Sequence, residues 1–287
     1  MSLKEIKQRI ASVKNTQKIT SAMKLISAAK LRRAQNAIES MHPYRQKLND
    51  MLVNFLSEMQ DISTPYSSVR KVGRVAIIAI SSNSTLCGSY NATIIRKAKA
   101  LLEDYRAQGV EAEVFTVGKK IYESLAKAGY ECNEALMSQA GNLQYDEVSK
   151  VAYNLMEHFA TGELDKVEIV YTRFHSAAKH EPVCETYLPI DITNVCTGNS
   201  GVAHDYIVEP GVQQLIGHLL PKVIVLRLFT ALLDAAASEH GARMMAMQIA
   251  TDNADDLITE LTREYNKGRQ QAITNELLDI ASGSINQ

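Results

Sequence analysis

From Leu3 to Met41 the residues that could face a partner recur at alternating steps of three and four: Leu3, Ile6, Ile10 and Val13, then Leu31, Ala34, Ile38 and Met41. That spacing is the seam of a helix lying lengthwise against another helix. Between the two apolar groups the same steps fall on Gln17, Thr20, Lys24 and Ser27, whereas Ile19, Met23 and Ile26 stand one residue out of step. The pattern predicts a helix whose apolar seam swings around its surface in this zone. Pro43 is expected to kink or interrupt the helix, and Leu48, Leu52, Phe55 and Met59 resume the spacing before DISTPYSS breaks it.

The period then changes. RVAIIAI from Arg74 is a short apolar run of the kind a fully buried strand shows, and EAEVFTVG from Glu111 and KVEIVYTRF from Lys166 repeat it. Helical segments over 91–106, 119–128 and 146–160 alternate with these strands. Alternation of this kind predicts an α/β unit with a mostly parallel sheet and right-handed crossovers, Rossmann-like in outline, over 72–209. The stretch 181–209, rich in β-branched residues with Pro and Gly punctuation, reads as edge strands or loops.

Beyond Pro210 the chain turns helical again. GVQQLIGHLL reads as a short first helix, with Pro221 in the first turn of the next, where its missing N–H costs nothing. From Lys222 to Ala281 there is no further proline. As one helix this stretch would span ~90 Å at a rise of ~1.5 Å per residue. Met247, Ala250, Ala254, Leu257, Leu261, Tyr265, Gly268 and Ala272 carry the three-and-four spacing, with small residues that admit a close partner backbone.

Charge links the two ends. Residues 1–33 hold nine Lys or Arg against Glu5 alone, and residues 251–287 hold seven Asp or Glu against three Lys or Arg. The fold class expected is therefore α/β with a long antiparallel coiled coil of the N- and C-terminal helices: a coiled-coil helix over 1–60, a central domain over 72–209, and a second coiled-coil helix over 211–287 that pairs with the first. The central domain is expected at one end of this stalk.

Composition narrows the chemistry. Among 287 residues, 31 Lys and Arg face 32 Asp and Glu, which leaves no uniformly basic coat for nucleic acid. With no aromatic residue between Met1 and Tyr44, the basic N-terminal helix offers bases nothing to stack on. Its Ala, Ser, Ile and Met suit another helix better than a membrane surface. There is no run of about 18 apolar residues and no secretory leader, so a cytosolic chain is expected. Cys87, Cys132, Cys184 and Cys196 form no C-x-x-C and read as free thiols.

Two places could carry chemistry. The loop SSNSTLCGSYN, Ser81–Asn91, follows a strand and opens a helix, the position where an α/β fold cradles a phosphate or places a nucleophile. It lacks G-x-G-x-x-G, the P-loop pattern and G-x-S-x-G, so a structural turn is the favoured reading. His175, His180 and Cys184 have spacings a metal could use, but HEPVC contains a Pro and no second pair, and a loop edge is expected there. No cofactor is called for.

Four segments in order resemble the gamma-subunit family of the F-type ATP synthases, in its bacterial form: IKQRIASVKNTQKITSAMKLISAAKLRRAQ, LCG at Leu86–Gly88, ASEHGARMMAMQIATDNADDLI from Ala237, and YNKGRQQAITNELLDIASGS from Tyr265. The resemblance implies a non-catalytic rotor shaft whose paired end helices enter a ring of alpha and beta subunits, with the α/β domain at the membrane-side foot beside the epsilon subunit and the c-ring. Nucleotide chemistry would belong to beta, and membrane association would come only through the complex. By matched position, Met23 and Lys24 would face the acidic lever loop of beta. Arg243, Gln270, Thr274 and Glu276 would contact the ring's catch loop and bearing surface, and Tyr206 would lie at the foot. The rival reading is a nucleotide-binding α/β enzyme with a coiled-coil dimerisation or RNA-binding arm.

The chain departs from the family at STLCGSYN, where an Arg-Gly-Leu-Cys-Gly type of loop is usual. It also departs at Gly241 and Gly268, where Ala is common, and at Ser284. A helix-interior Gly costs ~1 kcal/mol relative to Ala, so either close packing compensates at Gly241 and Gly268 or the helix bends there.

Overall fold

A computed structural model describes residues 2–57, 64–177, 179–190, 208 and 211–285. The elements are α1 (Leu3–Ser57), β1 (Arg74–Ile80), α2 (Tyr90–Ala107), β2 (Glu111–Val117), α3 (Lys119–Ala126), β3 (Cys132–Asn133), α4 (Tyr145–Thr161), β4 (Lys166–Phe174), β5 (His180–Leu188) and α5 (Val212–Ile285). Packing divides them into two units: Met1–Ala28 with Arg243–Gln287, and Ala29–Ala242.

The larger unit is built on a five-stranded sheet of order β3-β2-β1-β4-β5, parallel except where β5 runs against β4. Central β1 is buried on both faces, which explains its unbroken apolar sequence. Val75, Ile77 and Ala79 point to a layer formed with α2 and α3, while Ala76, Ile78 and Ile80 point to a layer formed with α4. Leu48, Leu52 and Phe55 of α1 and the apolar face of α5 from Ile216 to Ala235 complete that second layer.

By length and composition a stretch of α5 could cross a membrane, but half of that window is already buried inside the protein. Its Leu and Val residues are core. The edge strand expected within 181–209 is β5, and it carries Pro182. An edge strand has one side without ladder bonds, and a residue with no N–H is tolerated there.

The smaller unit pairs the start of α1 with the end of α5. Gly268 lies against Leu3, Gln17 Nε2 donates to Asp255 Oδ1 at 2.6 Å, and the hydroxyls of Thr20 and Thr251 meet at 2.8 Å. Position numbers rise along α1 as they fall along α5, so the pair is antiparallel. Leu3, Ile6, Ile10, Val13, Gln17, Thr20, Lys24 and Ser27 are all buried or half-buried, and the same holds for the eight seam positions from Met247 to Ala272.

The expected swing of the seam does not occur. Ile19 and Ile26 stay at the surface, 60% and 57% exposed, as does Leu25, and the polar positions keep the seam. The physical reason is that Gln17, Thr20 and Ser27 each find a hydrogen-bond partner there. Thr20 also donates to Gln17 O at 3.0 Å, Ser27 to Met23 O at 2.8 Å and Thr251 to Met247 O at 2.8 Å, so burial leaves no hydroxyl without a partner. Nor, among the described residues, do the Lys and Arg of α1 pair with the Asp and Glu of α5. The salt bridges among the described residues lie between Arg74 and Arg227, and the basic residues of α1 form none with the acidic residues of α5.

Both prolines sit inside continuous helices, Pro43 in α1 and Pro221 in α5, where interruption or a separate short helix was expected. Around Pro43 residues 42–47 are exposed, so water can serve the carbonyl left without a helical donor. Pro221 follows Gly217, which is exposed and has nothing near the place of a Cβ. The carbonyl four residues before the ring is thus open to solvent.

The two helix-interior glycines are explained by packing. A Cβ on Gly241 would meet Ala177 Cα at 3.2 Å and Ala177 O at 3.4 Å, both backbone atoms, whereas a Cβ on Gly268 would meet only the tip of Leu3 at 3.1 Å. Gly241→Ala is therefore expected to lower the midpoint of thermal unfolding. Gly268→Ala, where a flexible methyl can yield, is expected to gain up to ~1 kcal/mol from helix propensity. Calorimetry of the two variants beside the parent reads the opposite signs, and equal shifts would remove the packing explanation for Gly241.

Candidate functional site

The loop between β1 and α2 is the place where this class of fold binds phosphates, and its side chains are already engaged. The first turn of α3 has three N–H groups without helical partners. Lys119 N–H donates to Asn83 Oδ1 at 3.0 Å, Lys120 N–H to Ser82 O at 3.2 Å and Ile121 N–H to the Ser81 hydroxyl at 3.0 Å. The N-terminal end of α3 is thus capped by the loop that leads from β1 to α2, while Ser89 at the start of α2 makes no side-chain cap.

Asn91 ties the rest together. Its Oδ1 accepts from Ser82 N–H at 3.1 Å, and its Nδ2 donates to the Ser82 hydroxyl at 2.8 Å and to Ser84 O at 3.2 Å. Cys87 is buried, with Asn91 Nδ2 at 3.2 Å from its sulfur. Gly118 crosses so close behind that a Cβ would come within 2.3 Å of Ser81 O. The arrangement is a brace joining β1, α2 and α3, and it leaves neither a cradle nor an activated nucleophile.

The histidine and cysteine candidates do not converge. His175 Nε2 lies 3.5 Å from Glu181, while Cys184 Sγ lies 3.8 Å from Glu168 Oε2. On β5, His180 and Cys184 are four residues apart, ~13 Å along a strand. Among the described residues no cluster of His, Cys, Asp and Glu could hold a metal. Burial and the neighbouring Glu168 carboxylate push the Cys184 thiol up to about 11, far from reactivity at neutral pH.

The positions singled out by resemblance fall into two places. Met23 and Lys24 are half-buried on α1, and by the antiparallel register Lys24 stands opposite Met247, about one turn of α5 from Arg243. Arg243 is 9% exposed. Gln270, Thr274 and Glu276 are exposed on α5 beyond Gly268, the residue that faces Leu3 at the start of α1. Thr274 Oγ1 donates to Gln270 O at 2.9 Å, placing these two on one face. Arg243 and Gln270 are ~40 Å apart along the helix, so the six do not form one site. Tyr206 lies outside the described residues, as does Cys196.

Sequence reasoning missed a third place. A cavity of about 1380 Å³ in the larger unit is lined by Arg45 of α1, Tyr171, Arg173 and Glu185 of the sheet, and Arg227 and Asp234 of α5. Arg173 pairs with Glu185, which also accepts from Tyr171 Oη at 3.2 Å. Burial raises Asp234 to about 6, against the opposing pull of Arg45 and Arg173. A lone carboxylate in the run TALLDAAAS was the signal available in the sequence.

A family model described as ATP synthase matches residues 2–285. The ATP synthase gamma chain of Phocaeicola vulgatus is 50% identical over 286 residues, and that of Bacteroides thetaiotaomicron 48% over 295, each covering 99% of both chains. The rotor of the Euglena gracilis mitochondrial ATP synthase superposes with a TM-score of 0.62 at 19% identity, over 94% of this chain and 98% of that one. The central stalk and c-ring structure from Tetrahymena thermophila gives 0.57 at 22%, over 81% and 99%. At these identities the structural matches speak to the fold alone.

Two outcomes follow from the geometry. Equilibrium dialysis of the isolated chain with ATP, NAD or GTP is expected to show no saturable binding at micromolar concentrations, and binding lost on Ser82→Ala would contradict the brace. Asp234 carries a raised pKa in the fold, so the folded state binds more protons than the unfolded one between about pH 4 and 6, and stability falls as pH rises through that window. Asp234→Asn should therefore stabilise the chain at pH 7.5, by about 1–2 kcal/mol once solvent screening is allowed for. It should also flatten the pH dependence of denaturant midpoints below pH 6.

Proposed function

The chain belongs to the ATP synthase gamma-chain family, and from that premise we propose that it is the central-stalk rotor shaft, passing torque between a proton-driven c-ring and three catalytic beta sites. In this role it regulates ATPase activity and proton flow and makes no bond itself. The observation that carries the reading is the antiparallel pairing of the two chain ends, which around Thr20 and Thr251 keeps polar residues inside and leaves Ile19, Leu25 and Ile26 on the outside beside exposed lysines. The polar saturation of the Ser81–Asn91 loop supports it by removing the rival nucleotide-binding enzyme.

The working division is a coiled-coil helix over 1–60, a central domain over 72–209 and a coiled-coil helix over 211–287. Lys14, Lys18 and Lys30 are exposed on α1 alongside Ile19, Leu25 and Ile26, a mixed cationic and apolar surface. Such a surface fits an acidic protein loop, whose carboxylates gain from the charge while its apolar residues cover the isoleucines. In this reading Met23 and Lys24 face the acidic lever loop of beta. Arg243, Gln270, Thr274 and Glu276 serve the catch loop and the bearing, and Tyr206 serves the foot. The partners are the alpha and beta subunits, epsilon and the c-ring, and the setting is the cytoplasmic face of the cell's inner membrane, held there peripherally by the complex.

Reconstitution tests the reading. Purified chain mixed with alpha and beta is expected to yield an assembly that contains all three and hydrolyses MgATP. If no such assembly forms, the reading falls. Met23→Lys is expected to assemble normally but to pump fewer protons per ATP in vesicles. A cation placed ~4 Å from a carboxylate gains ~4 kcal/mol at an effective dielectric near 20, enough to hold the rotor at one angle. Equal pumping per ATP in variant and parent would remove the acidic loop as the partner of this zone.

A further inference from the structure

Within the larger unit, α5 is attached to the α/β body in two different ways. One is apolar packing of Ile224, Leu228, Ala231 and Ala235 on the core, which is strong but non-directional. The other is a row of directed contacts. Tyr187 Oη of β5 donates to Ile224 O at 2.9 Å, and Tyr90 Oη, from the first residue of α2, donates to Ala235 O at 3.1 Å. Arg227 Nη2 donates to Thr186 O of β5 at 2.8 Å, and Ser238 Oγ donates to Thr172 O of β4 at 3.2 Å.

The two tyrosines differ from ordinary core aromatics in what they grip. Tyr90 is 1% exposed and Tyr187 fully buried, and both hydroxyls end on main-chain carbonyls of a helix interior. Such carbonyls already accept the helical N–H four residues on, so neither tyrosine is needed to satisfy the helix. Because each grips backbone, its hold does not depend on an α5 rotamer. Burial raises the Tyr187 phenol above its ordinary value, so the donor proton stays in place at neutral pH.

The placement along the helix gives the pair its meaning. Ile224 and Ala235 are eleven residues apart, about three turns and within ~20° of one line down the helix. A smooth apolar face resists separation but allows a helix to turn about its axis or slide along it. Two fixed points on one line resist both movements. Ser238 and the close approach of Ala177 to Gly241 add further contacts along the helix toward Ala242, where the unit ends, on faces turned away from that line.

We propose that Tyr90 and Tyr187 are positioning residues for torque transfer: two hydroxyl pins that fix the rotational setting of α5 on the α/β body, so that a twist applied to the body is passed into the helix without slip. This rests on the rotor reading. Apolar burial carries the helix's attachment, and the pins carry its angle.

The test uses Tyr90→Phe, Tyr187→Phe and the double variant, each removing one oxygen per site and keeping the ring, in the full complex with alpha, beta and the membrane sector. Protons pumped and ATP hydrolysed are measured in the same vesicles, well below the unfolding temperature of every variant. The double variant is expected to lose protons per ATP by about two-fold or more, the range for residues that carry coupling between distant sites, and each single variant is expected to lose part of that.

Leu125→Ala, a fully buried α3 position in a layer of the core that contains neither tyrosine, is the control for plain loss of stability. If it lowers the ratio as much as the double variant, the tyrosines are only structural and the proposal is overturned. An unchanged ratio in the double variant overturns it too while leaving the rotor reading intact. If the parent chain fails to assemble or pump, the rotor reading fails, and the pins fail with it. Should the double variant not fold, the single variants decide by the same ratio.

Discussion

Neither end of this chain can bury its seam alone, and the structure depends on the mutual burial of two helical faces separated by almost the whole sequence. The seam is unusual in what it contains. Gln17 meets Asp255, Thr20 meets Thr251 and Leu3 lies against Gly268, so much of the contact involves small or polar groups. Each hydrogen bond there is worth only ~1 kcal/mol net. What such bonds supply is register, because a shift of one position would part Thr20 from Thr251 and Gln17 from Asp255. The consequence appears on the outer face. Ile19, Leu25, Ile26 and Ile249, which a self-sufficient coiled coil would bury, stay exposed.

Helix α5 lives in two packing regimes in succession. Up to Ala242 it is a core helix, with Ile224, Val225, Leu226, Leu228 and Leu232 almost wholly removed from water. From Arg243 onward it is one half of a pair, buried along a single stripe at Met247, Ala254 and Leu261. The change falls beside Gly241, where the backbone of Ala177 comes closest. A helix-interior glycine here is the result of crowding, and the cost in propensity is the smaller of the two penalties. Continuity of the hydrogen-bond ladder across this point requires no further device, since no proline follows Pro221.

The sequence carried most of the architecture, and where it misled, the reasons are local. Strands β1, β2 and β4 were legible because both-face burial writes itself as an apolar run, and the two seams were legible because three-and-four spacing survives even when the residues are polar. The swing of the seam at Ile19 and Ile26 was misread because apolar character was given priority over spacing. Hydrogen bonds made Thr20 and Gln17 acceptable inside, and nothing in the sequence announces that. Pro221 was misread as the start of a separate helix, and Pro43 does not interrupt α1, because a proline's cost depends on whether the orphaned carbonyl reaches water, a matter of exposure. Of the site residues, Met23, Lys24 and Arg243 share one neighbourhood, while Gln270, Thr274 and Glu276 lie far along α5, a separation that spacing alone already implied.

The Ser81–Asn91 loop shows why fold and function part company here. An α/β sheet ordinarily leaves the loops after its strands free to bind, and the helix ends they lead into are ready anion sites. In this chain Ser81, Ser82 and Asn83 spend their polar atoms on the first turn of α3, and Asn91 spends its amide on Ser82 and Ser84. Every gain is in rigidity between β1, α2 and α3, and each is paid for by a donor or acceptor no longer available to a ligand. Function on such a fold is decided by particular sites and not by the fold itself, and the apolar and basic residues left over from the helix pair make one such surface on α1.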